Sequence, residues 1–354
     1  MGATRMFMAA AWLSAIIGLA PAQADMPLVA PKPGALETYK DWTIGCDNRG
    51  RCEAVALQAE GSDWPDQPVM LGIARDAGAA ADPEIWVSRD AKGQEALSFL
   101  VDGREVARAT AQDGEATLQG VVASTLALAM ARGGRMEIRS GAKAIAQPSL
   151  AGIAAALRYM DARQGRAGTS VALVATGPLG RSAVRAAPAP VEIRRAIVPA
   201  GPAPATLWRE ELGALGKFTG CTDEMQDASP PDLYRLSRTE TLVLVPCGAG
   251  AYNFTSVPVI ATGIPGRRSF RFASFDYQPG WSEDASHPML VNADWSADKS
   301  SLQSYAKGRG LGDCGGSETY VWDGTRFRLS EASAMGECRG AWHWITTWSA
   351  KVVE

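Results

Sequence analysis

Six cysteines stand in three close groups along the 354 residues: Cys46 and Cys52, Cys221 and Cys247, Cys314 and Cys338. What they do depends on the compartment, because thiols stay reduced in the cytosol and pair outside it. The opening residues speak to that. Arg5 precedes an apolar run from Met6 to about Ala20, followed by Pro21 and the small-x-small triplet Ala22-Gln23-Ala24. This is the pattern of a secretory signal peptide over residues 1–24, with cleavage expected after Ala24. The rival is an uncleaved anchor, but the run is about 15 residues where a span needs about 20. No Cys sits at the cleavage point to carry a lipid, and no later apolar run is long enough to cross a membrane. A periplasmic chain that does not span the membrane is expected, with its cysteines as disulfides. Sequence alone permits many connectivities. Pairing of neighbours is the expectation, since it leaves none over and keeps each bridge within one domain. Zinc would need C-x-x-C or Cys/His clusters, which are missing. A catalytic cysteine would need a free thiol, which an even count opposes.

The length suggests two domains, at roughly 100–200 residues each. Hydrophobic residues are 46% and charged residues 21%, which supports packed cores and excludes wholesale disorder. A formal net charge of −3 lacks the basic excess of a phosphate-tracking chain, so no nucleic-acid partner is expected. Residues 186–205, AAPAPVEIRRAIVPAGPAPA, favour extended backbone and offer little to a core. They are read as a linker between a first domain at 25–185 and a second at 206–354. Seven of the 11 tryptophans follow it (Trp208, Trp281, Trp295, Trp322, Trp342, Trp344 and Trp348), so aromatic surface is concentrated in the second domain.

Strand signals dominate both. Residues 41–46 alternate, the Asp47-Asn48-Arg49-Gly50 turn follows, and 53–57 return antiparallel, so a Cys46–Cys52 bridge would staple a hairpin. Residues 69–75, 84–88 and 136–139 read as further strands, and 97–101 joins 104–109 across Asp102-Gly103. A helix opens after Gln147-Pro148-Ser149, with Ser149 as its cap. Leu150, Ile153, Ala154, Leu157 and Met160 lie on one face of it, and Gly165 closes it. A second helix is expected over 124–132, and a buried strand over 171–176. After the linker come a short helix at 206–217 and strands at 241–246, 253–262, 269–277 and 289–292. Another hairpin joins 319–322 to 326–329 across Asp323-Gly324, and an aromatic strand covers 342–349. The expected fold class is mainly β (α+β): two antiparallel β-sandwich or barrel-like domains, the first with one or two helices.

Residues 41–43 running into Cys46, the partner Cys52, and Ser149-Leu150-Ala151-Gly152-Ile153 opening a helix resemble the invasion-associated locus B family of exported bacterial proteins. The mature chain as a whole resembles an exported family known as domain of unknown function 1176. That likeness is carried by Arg75-Asp76-Ala77-Gly78, Arg309-Gly310-Leu311-Gly312-Asp313-Cys314-Gly315, Val321-Trp322-Asp323-Gly324, Cys338-Arg339-Gly340 and Trp344-Ile345-Thr346-Thr347-Trp348. The resemblance implies an envelope or periplasmic location in Gram-negative bacteria and brings no catalytic residues with it.

Few residues carry recognisable chemistry. A Ser-His-Asp hydrolase needs a histidine base, and only His287 and His343 are available. There is no G-x-S-x-G elbow, H-E-x-x-H or phosphate loop. His343, between Trp342 and Trp344 in an expected strand, would face away from both. His287 precedes Pro288 and reads as a solvated turn. Asn292, Asp294, Ser296 and Asp298 alternate like the start of a calcium loop, but Ala297 replaces the turn glycine and Gln303 the closing Glu. A polar turn fits better, and no metal or other cofactor is expected. The glycine-rich segment 309–316 is either a bridged turn or, with Arg309, an anion cradle. Asp313, Glu318, Asp323 and Glu337 could include a carboxylate pair for glycoside hydrolysis, though Asp323 is explained by its turn. Trp342, Trp344 and Trp348 share strand parity, hence one face: a core if buried, a stacking platform if exposed. With Arg309, Asp313 and Arg339 they are the candidate ligand-binding residues. The leading expectation is a non-catalytic envelope binding or interaction protein, its partner a cell-wall glycan or envelope protein. The alternative is a carboxylate-based hydrolase of envelope glycans.

Overall fold

Short apolar segments separated by turns become strands. In a computed structural model, which describes residues 30–62, 68–221, 229–280 and 287–354, β1 (Leu36–Tyr39), β2 (Trp42–Cys46), β3 (Cys52–Ala56), β4 (Val69–Arg75) and β5 (Pro83–Arg89) run antiparallel in chain order. The signal peptide expected at 1–24 and Trp281 lie outside the described residues. β6 (Gln94–Val101) and β7 (Arg104–Gln112) start a second sheet, and β8 (Ala116–Gln119) returns to β5. Then come α1 (Gly120–Arg132), β9 (Met136–Ser140), β10 (Lys143–Ala146) and α2 (Ile153–Arg163), giving the second sheet the order β10-β9-β6-β7. Asp102 and Gly103 turn the β6–β7 hairpin at φ 50° and 77°, the left-handed pair that a two-residue turn needs. Ile44, Ile73 and Phe99 from the two sheets meet Leu126 of α1 and Leu157 of α2 in one core.

Two local expectations fail for tertiary reasons. Ser149 does not cap α2: its hydroxyl donates to Asp41 (2.6 Å), and the cap position is Gly152 at φ 99°. A Cβ there would lie 1.7 Å from the Tyr39 carbonyl oxygen, so only glycine lets the helix start this close to β1. Residues 171–176 form turns, not a strand. The Asp161 carboxylate accepts the N–H groups of Leu173, Val174 and Ala175 (2.8–3.0 Å), taking the place of a neighbouring strand.

The 186–205 tract contributes β11 (Val191–Arg194), with Ile193 buried. It is followed by α3 (Arg209–Thr219), β12 (Asp232–Arg235), β13 (Glu240–Ala249), β14 (Phe254–Thr262), β15 (Ser269–Phe272), β16 (Leu290–Val291), β17 (Asp294–Ser296), β18 (Ser301–Lys307), β19 (Gly315–Trp322), β20 (Phe327–Met335) and β21 (Ile345–Val353). One sheet has the order β11-β21-β20-β19-β18-β17, with β11 parallel to β21. The other is β12-β13-β14-β15, with β16 on β14. β13 serves two cores by alternation. Leu242 and Leu244 cluster with Trp322, Phe327 and Trp348, while Val243 and Val245 cluster with Leu215 of α3. The expected Asp323-Gly324 hairpin opens into a longer loop in which Trp322 pairs with Phe327. Asp323 Oδ1 accepts the N–H groups of Thr325 and Arg326 (2.8 and 2.9 Å), an Asx turn that extends the connection. The fold is mainly β, with three α-helices among the described residues.

β2 is buried along its whole length. Trp42, Ile44 and Cys46 belong to the first core. On its other face, a Cβ at Gly45 would lie 3.1 Å from the Ile345 side chain of β21. Val55 and Leu57 join Met335, Ala341 and Ile345 in a separate cluster. Asn48 clamps the same junction, donating to the Ser349 carbonyl (3.0 Å) and accepting the Ser349 N–H (2.8 Å). The first sheet is therefore covered on both faces here.

Candidate functional site

Neighbouring cysteines pair: Cys46–Cys52, Cys221–Cys247 and Cys314–Cys338, and none is free among the described residues. The last bridge ties the loop leading into β19 to the loop after β20. Most of the candidate residues gather around it.

Arg309 and Asp313 form a two-pronged pair (2.7 and 2.6 Å). Asp313 is fully buried and also accepts the Gly340 N–H (2.8 Å). Burial alone would raise this carboxyl, but the Arg309 guanidinium and the Gly340 N–H outweigh it and hold it below the usual carboxylate range. Asp313 is thus an ionised strut between the two bridged loops, unsuited to act as an acid. Arg339 fans across the junction. It donates to the Gln58 carbonyl through Nε and Nη2 (3.0 and 2.6 Å) and to the Lys40 carbonyl through Nη1 (2.8 Å), and it pairs with Asp41. The Gln58 N–H in turn donates to the Arg339 carbonyl (2.8 Å).

Residues 342–344 precede β21 instead of belonging to it, so the three tryptophans do not share a strand face. Trp348 is core, 4% exposed, with Nε1 donating to the Leu329 carbonyl (3.0 Å). Trp344 stacks on Tyr305, ring centroids 4.7 Å apart and 9° from parallel. β19 admits it because it begins at Gly315, where a Cβ would lie 2.8 Å from the Trp344 ring. Trp342 remains 37% exposed. Its Nε1 donates to the carbonyl of Leu311 (3.0 Å), itself 52% exposed. Residues 58–62, Arg309, Cys338 and Arg339 form a groove of about 340 Å³. A second hollow of about 260 Å³ shares Gln58, Ala59 and Ser62 with it and extends to residues 145–149.

His343 does not project from a strand. Its ring packs on Trp86 (centroids 4.4 Å) and Nε2 lies 3.0 Å from Glu53 Oε1. Burial lowers its pKa, but the Glu53 carboxylate outweighs that and raises it. Glu53 also accepts the Trp86 Nε1 hydrogen (2.8 Å). No motif announces this trio, because its members come together only through the fold. His287 packs against Phe272 (centroids 4.5 Å). The segment that alternated like a calcium loop contains β17, paired with β18. Asn292 Oδ1 accepts the Phe254 N–H (3.0 Å), and its Nδ2 donates to the Tyr305 carbonyl (2.8 Å). Among the described residues no three His, Cys, Asp or Glu side chains group as a metal site would.

Glu318, on β19, has different surroundings from Asp313. Burial pushes its carboxyl up to about 7, against hydrogen bonds from Ser304 and the Gly280 N–H. Tyr320, two residues on, is fully buried, and its hydroxyl has no partner among the described residues.

Fold and site together define a β-rich, disulfide-clamped protein in which the half-buried Arg339–Asp41 pair links the loop after β20 to the β1–β2 turn. The chain belongs to the family described as Protein of unknown function (DUF1176), whose model matches residues 36–351. It is 28% identical over 348 residues to the uncharacterized protein YpfG of Escherichia coli strain K12, which covers 89% of this chain and 92% of that one. No solved structure matches. Among the described residues no helix is long and apolar enough to cross a membrane.

Proposed function

We propose that this is an exported, periplasmic binding protein, without catalytic activity, that engages an envelope glycan or protein through the Trp342 surface. In this reading, residues 25–185 and 206–354 act as two domains of one binder. One observation carries it: Trp342 and Leu311 stay exposed on loops held by the Cys314–Cys338 bridge, Asp313 and Arg339. An aromatic ring set on loops that are already ordered binds with little further loss of conformational entropy. Its face suits a sugar ring or an apolar side chain. The groove formed by residues 58–62, Arg309, Cys338 and Arg339 offers room for a bound group. The three disulfides and the leader pattern at 1–24 support export.

The test is a binding screen of the full chain against cell-wall fragments, purified glycans and envelope proteins, beside Trp342→Ala. Retention of a ligand by the wild type, lost in the variant at unchanged unfolding midpoint, is the expected result. Equal retention by both, or none by either, overturns the proposal. The second reading, a carboxylate-based hydrolase of envelope glycans, is favoured by the raised pKa of Glu318 beside Tyr320. Release of new reducing ends from cell-wall glycan, abolished by Glu318→Gln, would select it.

A further inference from the structure

A charge imbalance lies away from the disulfide clamp. β4 ends in Arg75, and Arg166 follows α2; they are 4% and 0% exposed. A buried guanidinium is costly unless a carboxylate faces it, as Glu211 faces the buried Arg268 (3.0 Å). Arg75 and Arg166 face neutral oxygens instead. Arg75 Nε donates to the Ala81 carbonyl (3.0 Å) and Nη1 to the Val171 carbonyl (2.9 Å). Arg166 donates to Gln164 Oε1 (3.0 Å) and to the carbonyls of Gly78 (2.5 Å) and Asp76 (3.2 Å), and its buried Nη1 has no partner among the described residues. Arg181 donates to the Ala79 carbonyl (3.1 Å). Among the described residues none of the three forms an ion pair.

The carboxylates near them, Asp161 and Asp82, restore the balance only in part. Both oxygens of Asp161 are taken up by backbone N–H groups. Asp82 lines the cleft without closing an ion pair. Three guanidiniums therefore face two carboxylates. Burial, and then repulsion from Arg166, draws the Arg75 pKa down to about 10.

Arg75 and Arg181 line a cleft of about 410 Å³ between α1 and the turns at 170–176, with Ser124, Thr125, Ser170 and Thr176. Ser170 and Thr176 are exposed, which leaves their hydroxyls available to a ligand. Guanidinium donors and hydroxyls together suit a group with several charged oxygens. Val121, 82% exposed, stands at the rim and offers apolar contact to whatever carries that group. We propose that this cleft binds an oxyanion, the phosphate or sulfate group of an ester, held by Arg75 and Arg181 and balanced against the charge of Arg166 behind them.

The experiment uses the full chain. Inorganic phosphate, sulfate and glycerol 3-phosphate are titrated by calorimetry and thermal unfolding, with chloride at equal ionic strength as the control. Vesicles of phosphatidylglycerol are compared with vesicles of phosphatidylcholine by co-sedimentation. The expected result is saturable oxyanion binding that raises Tm, with chloride inert. Arg181→Ala should weaken binding about tenfold, and Thr125→Glu, which puts a carboxylate in the cleft, should abolish it. Both positions are exposed, so neither variant depends on repacking a core. Selective sedimentation with phosphatidylglycerol assigns the group to a lipid headgroup; binding of the free ions and glycerol 3-phosphate without it assigns a soluble ester. No saturable binding of any probe to the folded chain, or binding that neither variant changes, overturns the proposal.

Discussion

At the Cys314–Cys338 clamp every arginine has a carboxylate: Arg309 holds Asp313, and Arg339 holds Asp41. At the cleft beside α1, Arg75 and, behind it, Arg166 are buried more deeply and among the described residues donate to neutral oxygens. The difference separates two uses of one side chain. A paired arginine completes its charge within the chain and fixes loops, leaving recognition to the exposed Trp342. One held by neutral oxygens keeps part of its charge uncompensated, and the proposed oxyanion would meet it. Glu318 is the mirror case, a half-buried carboxyl with hydrogen bonds but no cation among the described residues, and its pKa rises.

The largest effect expected from breaking this comparison is at Asp313. Asp313→Ala removes the buried carboxylate that joins Arg309 to the Gly340 N–H and should cost about 4 kcal/mol in urea unfolding. A loss under about 1 kcal/mol would remove the distinction between paired and unpaired arginines.

Glu318 comes next. Its folded pKa, about 7, is raised from 4.5. The neutral carboxyl therefore adds no penalty below about pH 4.5, and stability falls as pH rises through 7. Glu318→Gln should flatten that fall, recovering about 3 kcal/mol at pH 8, as read from unfolding midpoints at pH 5 and pH 8.

His343 should contribute less, because its side chain is 43% exposed. The Glu53 contact raises its folded pKa. Its stabilisation is complete below the unfolded histidine value, near pH 6.5, and fades as pH rises through the folded one. The contribution should stay under about 1 kcal/mol. An NMR titration of the imidazole should show a lower pKa in Glu53→Gln.

The smallest effect is expected from Arg181→Ala in buffer free of phosphate and sulfate, within about 0.5 kcal/mol of wild type. A larger loss would make Arg181 a structural residue and blunt the contrast between the two sites.

Local features were the legible ones. The Asp102-Gly103 hairpin follows from two residues that tolerate positive φ between alternating strands. α2 follows from apolar spacing, and α1 was expected over 124–132 but starts earlier, at Gly120. The failures came where a distant group replaced a local one. Ser149 gave its hydroxyl to Asp41, Asp161 held the 173–175 turn open, and β21 began at Ile345, which split the tryptophan row. Within the candidate site, Arg309 and Asp313 are four residues apart, and their pairing was within reach of the sequence. The Arg339–Asp41 contact is not, because its partners are 298 positions apart.

By itself the sequence determined a strand-rich chain and where many of its turns fall, because backbone preference and alternation act over a few residues. Only the tertiary structure decided what covers each face. β2 is buried on both sides, and β13 divides its leucines and valines between two cores. Which arginines meet a carboxylate was decided at the same level. A period-two pattern names the faces of a strand, but the groups that close on them, and the charges that balance within them, arrive from parts of the chain that no local rule connects.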